Sequence, residues 1–193
     1  MAHFEQGHML TTTLKPKTCA HCAREFMPAR PMQQVCGGLC ARRYVEASKK
    51  AERAATRKKF EEGKSLRRLL AEAQTAVNAY VRWRDRHEDC ICCGKPFEAQ
   101  KPGGSMDAGH YLARSIAPQH RFNLDNIFAQ RKNCNRPGGT TRGAFRAGVI
   151  ARIGVERVEA LEADTSVHKW TREEVRAIRD DFRALLRAVG ATK

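Results

Sequence analysis

Apolar positions fall three and four residues apart along two stretches of this chain and thin out almost completely along another. Leu66, Leu69, Leu70, Ala73, Val77, Tyr80 and Val81 make the first stripe. That spacing predicts an amphipathic helix burying one face, with Ser65 restarting the helix after Gly63. The second stripe is Val175, Ile178, Phe182, Leu185 and Val189. Thr171 and Glu174 precede it with the three-residue spacing of a capping box, and Gly190 can close the helix. Phe145, Val149 and Ile153 predict a shorter helix ending near Gly154. Residues 41–62 are different. They are rich in Ala, Lys, Arg and Glu, with Tyr44, Val45 and Phe60 as their few large apolar side chains. A helix there buries little, and reads either as a solvated spacer or as an arm on DNA.

Cysteine, glycine and proline interrupt these helical stretches and divide the chain into four. Residues 1–40 form a cysteine module with turn-forming Pro28, Pro31, Gly37 and Gly38. Residues 41–88 are a basic helical region, 89–142 a core holding the other four cysteines, and 143–193 a helical tail.

The eight cysteines are placed as metal ligands rather than as disulfides. Cys19-x2-Cys22-x13-Cys36-x3-Cys40 is a complete four-thiolate set for a structural zinc. In so short a segment, metal binding supplies much of the folding energy. The second set is incomplete. Cys90 and Cys93 form one jaw, but the opposite jaw has Arg131 where a cysteine would stand, and only Cys134 remains. Either Cys92, His87 or His120 completes a second zinc on Cys90, Cys93 and Cys134, or packing alone holds that region.

The net charge is +15, from 36 Lys plus Arg against 21 Asp plus Glu. Such an excess repels itself unless a polyanion neutralises it, and nucleic acid is the expected partner. No apolar run approaches the roughly 18 residues that span a bilayer. Met1 to Lys17 lacks the charged-then-apolar layout of a signal peptide, so the expected location is cytoplasmic, with no membrane partner.

The chemistry concentrates between residues 107 and 136. His110 stands in Asp107-Ala-Gly-His110-Tyr111, at a strand end or hairpin, with Asn126 sixteen residues on and Asn135 nine beyond that. This is the spacing of an HNH-type nuclease site. A neutral imidazole can take a proton from water, and a metal with open positions stabilises the phosphate and the departing oxygen. His110 is the candidate base. Asn126 fixes either the hairpin loop or the imidazole. Asn135, on a helix within 125–136, and Asp107 are candidate ligands for Mg²⁺ or Mn²⁺, although Asp107 could orient His110 instead. Arg114, Arg121, Arg131, Lys132, Arg136 and Arg142 surround the motif as candidate DNA contacts.

Cys90-Ile-Cys-Cys93-Gly, Asp107-Ala-Gly-His110-Tyr-Leu-Ala-Arg114, Ala117-Pro118, Arg121-Phe122, Asn126, Gln130 and Cys134-Asn135-Arg136 resemble the NinG (Rap) family of lambdoid phages. The likeness continues through 148–162 and 168–174. It departs at Arg131, where the family carries cysteine, and at Gly139-Thr140-Thr141, where the family has a Ser-Gly-Asn-like turn. The resemblance implies a metal-dependent, structure-specific endonuclease of phage recombination. Its substrates would be Holliday junctions and D-loops in the infected cell, and its HNH-like positions map to His110, Asn126 and Asn135. Two symmetric cuts would suit a homodimer. The expected fold is α+β: a zinc-binding module, a long basic helix, an HNH-like ββα-metal core and C-terminal helices. The competing expectation is a non-catalytic, zinc-stabilised protein that holds branched or single-stranded DNA.

Overall fold

The computed structural model describes residues 14–98 and 105–191; most of the stretch on which the signal-peptide reading rests lies outside them. The fold is α+β, and the chain divides into two compact units at Gly63–Lys64. The helical region read as 41–88 is therefore shared between them.

Over its described residues, the first unit is a two-stranded hairpin and one helix. β1 (Lys17–Thr18) pairs antiparallel with β2 (Glu25–Phe26) around a tight knuckle. In that knuckle Cys19 N–H donates to Arg24 O at 2.8 Å and Ala23 N–H donates back to Cys19 O at 3.0 Å. Helix α1 (Gly38–Glu62) buries none of its side chains, as its sparse apolar content predicts.

The second unit begins with α2 (Leu66–Arg84), whose Ser65 cap accepts from Arg68 N–H. The predicted stripe is the core: Leu69, Ala73, Val77 and Val81 are fully buried. They meet α5 (Arg172–Ala188) through Val175, Ile178 and Phe182, with the Tyr80 and Phe182 rings edge to face at 5.2 Å. The capping box at Thr171 and Glu174 forms as predicted. The buried face of α5 drifts from the predicted one. Leu185 and Val189 are exposed, and Leu186 and Arg179 are buried in their place. Arg179 is tolerated because Glu72 and Asp180 accept its hydrogen bonds at 2.9 and 2.8 Å, matching a buried charge with partners.

Between α2 and the tail lies a second hairpin, β3 (Met106–His110) against β4 (Ile127–Arg131), with His110 opposite Ile127 and Asp107 opposite Gln130. The helix expected within 125–136 is absent. Residues 127–130 are buried on both faces, and that continuous burial suits a strand. α3 (Arg142–Ile153) and α4 (Val155–Ala163) follow, breaking at Gly154. Phe128, Phe145, Val149 and Val158 form a second core on the side of the hairpin away from α2. Among the described residues, no helix is long and apolar enough to cross a membrane.

Candidate metal and phosphate sites

The two cysteine groups gather as their spacing predicts. Cys19, Cys22, Cys36 and Cys40 place their sulfurs within 4.8 Å of one another. Cys22 and Cys36 are 3.7 Å apart, and Cys36 and Cys40 are 3.5 Å apart. Four thiolates about 2.3 Å from a tetrahedral zinc have nearly that separation. The protons tell the same story. Backbone N–H donors, Cys22's first, pull the Cys19 thiol down to about 6, while thiol contacts led by Cys40 push Cys36 up to about 12. Packed sulfurs cannot all ionise together without a cation, and a Zn²⁺ held among them would supply that charge. Cys40 sits in the first turn of α1, where the helix dipole also favours a thiolate.

Cys90, Cys93 and Cys134 form a second group that could hold a zinc ion. Its knuckle repeats the hydrogen bonds of the first: Cys90 N–H to Lys95 O at 3.0 Å and Gly94 N–H to Cys90 O at 2.9 Å. The left-handed residue is Ala23 in one knuckle and Gly94 in the other. Cys93 and Cys134 are 3.6 Å apart, and burial followed by contact with Cys93 pushes the Cys134 thiol up to about 12. Arg131 stands where the resemblance leads one to expect cysteine, and its backbone takes part in the knuckle. Its N–H donates to Cys90 Sγ at 3.2 Å, and its carbonyl accepts from Cys134 and Asn135 N–H. Its guanidinium turns away to Glu98 at 2.7 Å.

None of the three suggested replacements joins this group. Gln130 Nε2 lies 2.6 Å from the Cys92 sulfur, His120 is buried against Leu161 O, and His87 is exposed. Among the described residues the set is three thiolates. Three protein ligands leave a tetrahedral ion one position for water.

His110 ends β3, and its Nε2 lies 3.0 Å from Arg121 O. A carbonyl oxygen only accepts, so Nε2 carries the proton and the lone pair sits on Nδ1. Burial, then the charges of Arg114 and Arg121, holds the imidazole below its ordinary pKa. A neutral ring with a fixed tautomer is what a general base requires. Sequence reasoning missed this acceptor because a backbone carbonyl leaves no side-chain signature. Arg121 rests on the Phe122 ring with its Nε buried and without a hydrogen-bond partner.

Asn126 does not orient that ring. Its side chain is fully buried, and Oδ1 accepts from Leu112 N–H at 2.7 Å. Nδ2 donates to Leu112 O at 3.0 Å and His120 O at 3.1 Å. It ties the two ends of the loop between β3 and β4, so its influence on His110 passes through that loop.

Asp107 and Asn135 do meet, Asn135 Nδ2 donating to Asp107 Oδ2 at 3.3 Å. Asn135 reaches this position from a turn rather than a helix. Alternation along β3 separates the pair from the base. Ala108, and Ile127 opposite His110, pack toward α2, while Phe128 opposite Gly109 packs toward α3. Asp107 and His110 therefore leave the strand from opposite faces, which linear spacing conceals.

The arginines divide by their surroundings. Arg114 and Arg136 are exposed, Arg131 is paired with Glu98, and Arg142 lies beside Tyr111 and Glu162. Lys132 is half-buried in the turn after β4.

A family model described as Bacteriophage Lambda NinG protein matches residues 11–191. The chain belongs to the NinG family. Over 118 residues it is 41% identical to Protein ninG of Escherichia phage lambda, covering 61% of this chain and 55% of that one. The NinG protein of Salmonella phage P22 is 40% identical over the same length, with 61% and 56% covered. That of Escherichia phage 933W is 41% identical over 118 residues, again with 61% and 56% covered. The matched region thus spans just over half the length of these NinG relatives. No solved structure matches the chain.

Proposed function

We propose that this NinG protein is a metal-dependent endonuclease of phage recombination that cuts branched DNA such as Holliday junctions and D-loops. One observation carries the reading: a half-buried histidine, fixed in one tautomer by Arg121 O and kept below its ordinary pKa by burial, lies within the field of two arginines. Neither Arg114 nor Arg121 has a carboxylate partner among the described residues, and a phosphodiester would neutralise both. His110 Nδ1 takes the proton from the attacking water. Asp107 and Asn135, on the face of β3 opposite His110, fit a hard cation, offering a carboxylate and an amide oxygen; Mg²⁺ or Mn²⁺ there would hold a phosphate of the bound DNA by its charge. Along exposed α1, Arg42, Lys49, Arg53 and Arg57 recur on one face and offer charge to the DNA backbone. Branch preference rests on the family resemblance, and paired cuts call for a homodimer.

A second reading takes its support from the opposite faces of Asp107 and His110. In it the protein is a zinc-stabilised accessory that holds branched or single-stranded DNA without cutting it. Wild type and His110→Ala, compared on a labelled four-way junction and a matched linear duplex with and without Mg²⁺, separate the two. The nuclease reading expects junction cutting by wild type and a drop of about 10²–10⁴-fold in the variant, with binding retained. Equal cutting by both removes His110 from the reaction. Binding without cutting by wild type selects the accessory role.

A further inference from the structure

The face of β3 that carries Asp107 holds another oxygen-bearing side chain. Gln130 stands opposite Asp107 in the hairpin register and is 2% exposed. Its Nε2 is directed at the Cys92 sulfur, so its Oε1 turns the other way. That oxygen has no hydrogen-bond donor among the described residues.

Gly109 shows where Oε1 points. A Cβ on Gly109 would lie 1.5 Å from Gln130 Oε1 and 2.9 Å from Asn135 Oδ1. Both amide oxygens therefore crowd the same point above the glycine. Asn135 uses its Nδ2 on Asp107, which leaves Oδ1 facing that point. Three segments, β3, β4 and the turn after β4, thus bring one carboxylate and two amide oxygens together. Two acceptors with no protein donor between them are a pair that a cation can share. Hard divalent cations take such oxygens and keep water on their remaining positions.

We infer that Gln130 is a third protein ligand of the divalent cation at Asp107 and Asn135, and that residue 109 is glycine because a side chain would occupy the space the ligands need. The inference rests on the metal-dependent reading above and adds a ligand that neither the HNH-like spacing nor the resemblance assigns.

Mn²⁺ titrated into the zinc-loaded full chain, with free Mn²⁺ followed by electron paramagnetic resonance, tests it without any cleavage assay. Wild type should bind one Mn²⁺, Asp107→Asn should lose most of that binding, and Gln130→Leu should weaken it at least tenfold. Gln130→Glu, which adds a charge within the same volume, should bind more tightly than wild type. Zinc content and thermal melting report folding for each variant. A folded Gln130→Leu that binds Mn²⁺ as wild type does overturns the role of Gln130 alone. So does a Gln130→Glu that fails to tighten binding, which keeps the test decisive if the leucine variant does not fold. A wild type that binds no Mn²⁺, or an Asp107→Asn that binds it equally, overturns the metal-dependent reading together with the inference.

Discussion

Helix α3 approaches the Cys90–Cys93 knuckle so closely at Gly148 that replacing this glycine with alanine should destabilise the protein, although alanine is the better helix former. A Cβ at 148 would fall 1.7 Å from Ile91 O and 2.9 Å from Ile91 C. A carbon and a carbonyl oxygen approach no closer than about 3.3 Å, so helix and knuckle would have to part by roughly 1.5 Å. The obstacle is backbone, which has no rotamer to yield. It belongs to the segment joining Cys90 to Cys93, and Ile91 N–H also donates to Ala129 O at 3.2 Å. Overpacking of this kind costs about 1–3 kcal/mol, and the upper part of that range fits a rigid obstacle. Alanine returns at most about 1 kcal/mol of helix propensity. The net loss is about 1–2 kcal/mol, or a fall in Tm of roughly 3–8 °C for a unit of this size. Gly143 on the same helix is the control, because a Cβ there meets nothing within 4 Å. Thermal unfolding followed by circular dichroism, with zinc release measured by a chromogenic chelator, gives the comparison. Gly148→Ala should melt earlier and release its second zinc faster, while Gly143→Ala should be neutral or slightly stabilised. A Gly148→Ala protein that melts at or above wild type would refute the close approach of α3 to the knuckle.

Other consequences are open to direct measurement. Asn126→Ala strands Leu112 N–H, Leu112 O and His120 O, and should cost about 2–4 kcal/mol in urea unfolding; unchanged stability would return Asn126 to a purely catalytic role. Arg131→Cys places a fourth sulfur on a backbone already shaped for it, and should tighten the second zinc at least tenfold in chelator competition; unaltered affinity would mean that position 131 does not face the ion. Glu162 is held down to about 2 by Arg146 first and Tyr111 second. A carboxylate depressed in the folded state contributes stability above its unfolded pKa near 4.5, and that contribution disappears as pH falls toward 2. Wild type should therefore lose its advantage over Glu162→Gln across that window, and parallel stability curves for the two would exclude the contribution.

Local pattern was enough for the parts of this protein whose partners lie close in sequence. The 66–81 stripe becomes the buried face of α2, because helical period alone decides which side chains share a side. Thr171 and Glu174 cap α5 because a capping box needs only four consecutive residues. Closely paired cysteines meet because thiolate spacing is itself a geometric statement. The family too was legible, in strings such as Asp107-Ala-Gly-His110-Tyr111.

Tertiary structure decided what depends on contacts across the fold. In the sequence, residues 127–130 are open to the helix expected within 125–136 because a run buried on both faces has no period to exclude one, and their pairing with β3 makes them a strand. The C-terminal end of α2 then fixes that strand: Arg84 donates to Ile127 O at 2.8 Å, and Asp85 accepts from Ala129 N–H at 2.9 Å. The acceptor for His110 is a backbone carbonyl eleven residues away, to which any side chain at position 121 would be indifferent. Whether Asp107 and His110 share a face of β3 is a matter of strand parity, and three residues of separation put them on opposite sides. Spacing names the residues that can do chemistry; the packing of α2 and α3 on the two sides of one hairpin determines which of them can act together.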